Sequence, residues 1–310
     1  MNGSPPPAGV LHRRPVPSLS VAATSFEIAG RPVRRVGFGA MQLPGPRVTG
    51  PPRDHDQAIA VLRKAVEAGV NHIDTAQFYG PDVANELIRE PLHPYPDDLV
   101  IVSKVGARRD ADGAWHPAQT PAELRAGVED NLRSLGVEQL GAVNLRRMIE
   151  HDVPDGQRVP LAEQLAEMVA LRDEGKIAGV GISTAPLAEV DEAIRTAQIT
   201  CVQNAYSLLS RDDEDVLERC IAADVAYVPY FPLGSAFPGI PKVTDDEHVR
   251  AVADRLDVTP AQVALAWLLA RADNILLIPG TSSLAHLEEN LAVGDVELGE
   301  ADLTELGGAR

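Results

Sequence analysis

A chain of 310 residues, 45% apolar and 24% charged, carries enough apolar side chain for a sizeable core. Its net charge of −17 argues against non-specific binding to nucleic acid or to an anionic membrane, and any anionic cofactor must be met by local donors. Two cysteines, Cys201 and Cys220, make no disulfide framework and suit a reducing cytosol, and no apolar run approaches the ~20 residues of a membrane span.

In chain order, residues 1–23 are rich in proline and small residues, with Arg13 and Arg14, and lack the continuous apolar core of a secretory signal. They read as a disordered tail before one domain over residues 24–310. Residues 25–33 alternate apolar and polar side chains around Ala29-Gly30, a small hairpin suited to plugging one end of a barrel. Residues 36–41 form a first short strand whose glycines let backbone approach a ligand closely. Helical periodicity over 56–68, with an aspartate cap and a stop at Gly69, delivers the chain to the apolar run 70–73.

That run closes on Asp74, followed by Thr75 and, five residues past the acid, Tyr79 before a Gly-Pro turn. An acid at the end of a buried strand needs a positive partner. Lys104, ending the apolar run that begins at Leu99, offers one. Asp, Tyr and Lys at the carboxyl ends of consecutive strands make a proton-donating set, in which the lysine lowers the phenol's pKa and the aspartate holds the lysine charged. His72, two residues before Asp74, shares its strand face and reads as a satisfied core group. Beyond it, helical stretches at 81–89, 121–135, 161–174, 186–197, 214–223 and 260–270 separate apolar runs at 99–105, 140–145, 178–182, 199–203, 225–230 and 275–278.

With 36–41 and 70–73 this gives eight strands, and eight βα units predict an α/β fold, a (β/α)8 TIM barrel with an N-terminal β-hairpin. The competing doubly wound sheet normally announces itself with a glycine-rich phosphate loop after its first strand, and none occurs there. Two long loops, 105–119 with Trp115 and 231–245 with Phe237, are placed to shape access to the site. No H-E-x-x-H, paired-cysteine motif or carboxylate cluster points to a metal.

The segments Asp74-Thr-Ala-Gln-Phe-Tyr79-Gly and Ser103-Lys104 resemble the catalytic segments of the aldo-keto reductase superfamily. The likeness continues in order through Leu135-Gly-Val, Gly175 to Ser183, Val202 to Ser207, Tyr230 to Gly234, Ile278 to Thr281 and Glu288 to Asn290, covering roughly residues 24–295. The resemblance implies hydride transfer between a nicotinamide nucleotide and an aldehyde or ketone, with Tyr79 as general acid and Lys104 and Asp74 supporting it. Carried over by position, Ser183 and Gln203 would bind the carboxamide, Tyr230 would stack on the nicotinamide and Met41 would lie at the same end. Gly234 and Ser235 would follow the pyrophosphate, and Gly280, Thr281, His286, Glu289 and Asn290 would meet the adenosine.

The chain departs from that family pattern twice. Arg146 stands where the family has a histidine, so it would orient the substrate oxygen electrostatically and not relay a proton. Gly280 and His286 stand where cations commonly hold the 2′-phosphate, which leaves NAD(H) possible beside the preferred NADP(H). Asn144-Leu-Arg-Arg-Met148 and the run from Pro279 to Asn290 resemble a bacterial branch that includes pyridoxal reductases. A cytoplasmic, monomeric or weakly oligomeric reductase of a small carbonyl compound is the expectation. A nucleotide-binding sensor with lapsed catalysis is the alternative that Arg146 keeps open. A Schiff-base lyase on Lys104 is disfavoured, because Asp74 would keep the amine charged.

Overall fold

The computed structural model describes residues 25–110, 113–148, 153–154, 158–234 and 240–307. The expected tail over 1–23, Ser235 and Phe237 lie outside the described residues. Strands β1 (Ser25–Ile28) and β2 (Arg31–Arg34) pair antiparallel through the two-residue turn Ala29-Gly30. Both turn residues have positive φ, 51° and 73°, the geometry that matches the twist of a tight hairpin. Ile28 and Val33 are fully buried against Val100, Val102, Ala142, Cys201, Ala226 and Leu276, so the hairpin closes the barrel floor as expected.

The barrel strands are β3 (Phe38–Gly39), β4 (His72–Asp74) and β5 (Val100–Arg109), then, past β6 (Trp115–Ala118), β7 (Ala142–Arg146), β8 (Val180–Ser183), β9 (Cys201–Gln203) and β10 (Ala226–Tyr227). They run parallel in the order β3-β4-β5-β7-β8-β9-β10. The 275–278 segment closes the ring: Leu276 N donates to Tyr227 O at 2.9 Å and Gly37 N to Leu277 O at 2.8 Å. The strands read as apolar runs because their outer faces meet helices and their inner faces meet one another.

Local signals set the helices, α1 (His55–Glu67), α2 (Val83–Leu92), α3 (Pro121–Leu135), α4 (Leu161–Asp173), α5 (Leu187–Ala197), α6 (Glu214–Ala223), α7 (Glu247–Leu256), α8 (Pro260–Arg271), α9 (Leu284–Leu291) and α10 (Glu300–Gly307). Thr120 and Thr259 each form a capping box with a residue three positions on, followed by proline at the first helical position. Asp54 caps α1 by accepting from Gln57 N at 2.9 Å. Among the described residues no helix is long and apolar enough to cross a membrane, and both cysteines are free and buried.

The segment 105–119 is not a plain loop. After Lys104 the chain continues in β5 past Gly106, at φ 102°, and folds back as β6, which pairs antiparallel with the outer half of β5. A side chain on Gly106 would lie 2.4 Å from the Arg146 carbonyl, so only glycine lets the hairpin cross the mouth of the barrel here.

Candidate active site

Asp74, Lys104, Arg146, Ser183 and Gln203 all come from strands that meet at the carboxyl face of the barrel. Register pairs place Asp74 beside Val102, Lys104 beside Asn144, Arg146 beside Ser183 and Ser183 beside Gln203. Strand alternation sends the intervening polar groups the other way. Thr75 Oγ1 donates to Asn85 Oδ1 at 2.8 Å, and Ser103 Oγ to Asn131 Oδ1 at 2.6 Å. Asn85 Nδ2 joins the two at 3.0 Å from Asn131 Oδ1. This buried network ties the backbone under Asp74 and Lys104 to α2 and α3 and fixes both side chains from behind.

At the centre, Lys104 Nζ donates to Asp74 Oδ1 at 2.5 Å and to the Thr75 carbonyl at 3.0 Å, and it lies 5.0 Å from the centre of the Tyr79 ring. Gln203 Nε2 donates to the second Asp74 oxygen at 2.9 Å, so both carboxylate oxygens are held. Burial pulls the Lys104 pKa down, but Asp74 and Tyr79 outweigh it and raise it above the ordinary lysine value, so the amine stays charged. The Tyr79 phenol moves upward overall. Burial and, after it, the Asp74 charge raise it, Lys104 and Arg146 work to lower it, and the raising side wins. The expected lowering by Lys104 is therefore present as a contribution, while the net direction is set by desolvation. A phenol held above its ordinary value is firmly protonated at neutral pH, and the two cations stabilise its anion once the proton has left.

These groups sit in a cavity of about 650 Å³ at the barrel mouth. Of the residues singled out from the sequence, Met41, Asp74, Tyr79, Lys104, Arg146, Ser183, Gln203, Tyr230, Gly234, Gly280 and Asn290 line it. Thr281, His286 and Glu289 are not among the lining residues. Thr281 is buried and its Oγ1 accepts from Ser283 N at 3.0 Å. His286 is exposed in the first turn of α9, where its backbone N–H is capped by Ser283 Oγ, and Glu289 is half-buried. His72 is a core residue as expected but not a satisfied one: it is buried, its Nδ1 has no hydrogen-bond partner, and desolvation holds its pKa down at about 4. Asn144, one pleat below Arg146, accepts from Cys201 Sγ at 3.4 Å.

Arg146 points into the cavity from the end of β7, with Nη1 2.8 Å from Met148 Sδ and its guanidinium 5.0 Å from the centre of the Trp115 ring. Trp115 also lines the cavity, in edge contact with Phe78, which is itself in edge contact with Tyr79. The sequence reading passed over Arg109, Thr49 and Thr184, which line the same space. Arg109 carries no motif that reveals it, because the positive-φ kink at Gly106 within β5 disturbs the strand alternation on which its orientation would be read. Gln203 has a further unmet group: its Oε1 is buried with no hydrogen-bond partner, an acceptor poised for an amide donor beside Asp74.

A protonated phenol beside a charged lysine, at a barrel mouth open to a small molecule, has the chemistry to pass a proton to a bound compound. The profile of the Aldo/keto reductase family matches residues 35–309. A pyridoxine 4-dehydrogenase of Escherichia coli is 48% identical over 290 residues, 93% of this chain and 99% of that protein. An uncharacterized oxidoreductase of Schizosaccharomyces pombe is 37% identical over 276 residues, 89% and 86% of the two chains. Among solved structures, an aldo/keto reductase of Klebsiella pneumoniae in complex with NADP and acetate superposes with a TM-score of 0.74 at 26% identity, over 91% of this chain and 94% of that one. The chain belongs to the aldo/keto reductase family and is an NAD(P)H-dependent oxidoreductase.

Proposed function

We propose that this enzyme interconverts an aldehyde and its alcohol with NADP(H), and that pyridoxal is the aldehyde to test first. The observation that carries the reading is the buried Tyr79 phenol beside Lys104, facing a cavity with Arg146 on its wall, in a chain 48% identical to a pyridoxine 4-dehydrogenase along nearly that protein's full length. A bound nicotinamide nucleotide would supply or accept the hydride. The residues fit such a group. The unpartnered Oε1 of Gln203 suits the carboxamide N–H, with Ser183 beside it, and Tyr230 offers an aromatic face in the same cavity as Met41. Gly234 and Ser235 are assigned to the pyrophosphate, and Gly280, Thr281, His286, Glu289 and Asn290 to the adenosine end.

In the reducing direction Tyr79 donates its proton to the carbonyl oxygen as the carbon gains hydride, and Lys104 stabilises the resulting phenolate. Asp74 keeps Lys104 charged and, through the bond from Gln203, keeps it placed. Arg146 cannot exchange a proton at neutral pH, so it orients the substrate by donating to the carbonyl or to an oxygen beside it. The phenolic oxygen that flanks the aldehyde of pyridoxal suits that donor. Free, buried cysteines fit the cytosolic setting we assign, with a small carbonyl compound as the partner and a monomer or weak oligomer as the working state.

The deciding experiment follows nicotinamide oxidation with NADPH and with NADH across a carbonyl panel that includes pyridoxal. Rapid turnover of pyridoxal with NADPH is the expected result. Turnover of simple aldehydes without pyridoxal would keep the reductase and discard the substrate. Tight nucleotide binding with no turnover at all would discard both.

A further inference from the structure

The substrate side of the cavity carries two guanidinium groups on one indole. Arg109 Cζ lies 4.3 Å and Arg146 Cζ 5.0 Å from the Trp115 ring centre. Arg109 Nη1 donates to the Arg47 carbonyl at 3.0 Å, the Val48 carbonyl at 3.3 Å and Thr49 Oγ1 at 2.7 Å. All three acceptors are neutral, so they orient the guanidinium without cancelling its charge. Its Nε is buried without a hydrogen-bond partner. Among the described residues that line the cavity the one carboxylate is Asp74, already balanced by Lys104. Among the described residues the cavity lining therefore carries more arginine than carboxylate, in a chain whose net charge is −17. Burial lowers the Arg109 pKa, Tyr79 raises it and Arg146 lowers it again, the mark of two cations close enough to repel. An anion at this wall would relieve that repulsion.

The segment that Arg109 clasps is strained and wired to the reacting centre. Arg47 and Val48 both have φ of 59°, a region that a β-branched residue rarely enters unless its surroundings impose it. Gly80, next to Tyr79, donates to the Val48 carbonyl at 3.1 Å and accepts from Gly50 N at 3.3 Å. On the other side, Trp115 meets Phe78 at 5.2 Å between ring centres and Phe78 meets Tyr79 at 5.5 Å. The position of the Arg109 charge is thus fixed relative to Tyr79 by two independent routes.

We infer that Arg109 and Arg146 form an anion-selecting pair, with Arg109 a specificity-determining residue. The substrates are then carbonyl compounds that carry an anionic oxygen, a carboxylate or a phenolate, favoured over neutral compounds of the same size. This rests on the reductase reading above and narrows its substrate class. The test compares kcat/KM with NADPH for two matched pairs, 3-carboxybenzaldehyde against 3-methylbenzaldehyde and 2-hydroxybenzaldehyde against 2-methylbenzaldehyde, the second pair at a pH above the pKa of its phenol so that the phenolate is the species offered. Wild type, Arg109→Met and Arg109→Lys are measured on each.

Wild type should favour the charged member of at least one pair, and the pair that responds tells carboxylate from phenolate. Arg109→Met should shrink that preference about tenfold, the scale of one charge-assisted hydrogen bond, while Arg109→Lys keeps most of it. No preference in wild type, or a parallel fall of both members in Arg109→Met, would overturn the inference and leave Arg109 as a clasp. Calorimetric binding of benzoate and benzamide to the NADP⁺-loaded protein gives a readout without turnover. Benzoate should bind more tightly, and that advantage should drop in Arg109→Met. Equal binding of the two overturns the inference. If no aldehyde turns over, the reductase reading fails by itself, and the benzoate result still decides this one.

Discussion

Replacing Lys104 by methionine tests whether the central ion pair is mutual compensation. The Lys104 and Asp74 side chains are 6% and 4% exposed, with Nζ and Oδ1 2.5 Å apart. Without the ammonium, Asp74 stays in the barrel with Gln203 Nε2, at 2.9 Å, as its side-chain donor. Removing one member of a buried pair costs about 3–5 kcal/mol. The bond that Gln203 still makes moves the outcome toward the lower figure. At roughly 2 °C per kcal/mol in a chain of this size, the melting temperature should fall by about 6–10 °C. Asp74→Leu combined with Lys104→Met removes both charges and should lie within about 1–2 kcal/mol of wild type, although carbonyl reduction stays lost in both variants. Urea melts of the two single variants and the double variant close the cycle. If Lys104→Met costs under about 1 kcal/mol, or if the double variant is as unstable as the sum of the singles, the reasoning about the pair is refuted.

Tyr79→Phe should lower turnover by on the order of 10²–10⁴ while nucleotide affinity, read by NADPH fluorescence, is nearly unchanged. Wild-type turnover in that variant would remove Tyr79 as the acid. Because the phenol is raised above its ordinary value of 10.0, it stays protonated as pH climbs, and kcat/KM for reduction should show no Tyr79 limb below about pH 10. A limb near neutral pH that vanishes in Tyr79→Phe would instead mean a lowered phenol. His72 gives a prediction at the acid end. Its pKa is depressed from 6.5 to about 4, so below pH 6.5 the unfolded chain takes up a proton that the folded chain refuses. Stability should therefore fall by about 3 kcal/mol between those two values from this residue, and His72→Leu should flatten that part of the stability curve. Parallel curves for the two proteins would show that the ring protonates freely in the fold.

Much of this architecture is legible without coordinates because its signals are local. Thr120-Pro121 and Thr259-Pro260 announce helices through caps that depend on a few neighbouring residues, and α3 and α6 start and stop where periodicity places them. Asp74 and Lys104 stand out because a charge that ends an apolar strand demands a partner. The short strands are less visible: β3 and β10 hold two residues each, since the barrel closes partly through isolated bridges that periodicity cannot report. Helix α7 also escapes a reading that treats 231–245 as loop and resumes at 260, although Asp246 caps it by accepting from His248 N and Val249 N.

Sequence alone determined the βα alternation, the floor hairpin at Ala29-Gly30, and the identity and chain order of Asp74, Tyr79, Lys104 and Arg146. The first two follow from neighbours a few residues apart and Asp74, Tyr79 and Lys104 from a chemical need, whereas Arg146 is singled out by its place in the family resemblance. Only the tertiary structure decided the net direction of the Tyr79 phenol, because desolvation depends on what the whole barrel packs around it. It alone brought Gln203 to Asp74 across 129 positions of chain. It alone carried Arg109 past the kink at Gly106 onto Trp115 and against the strained segment at Val48. Burial and long-range contact are properties of the closed barrel, and no window of sequence contains them.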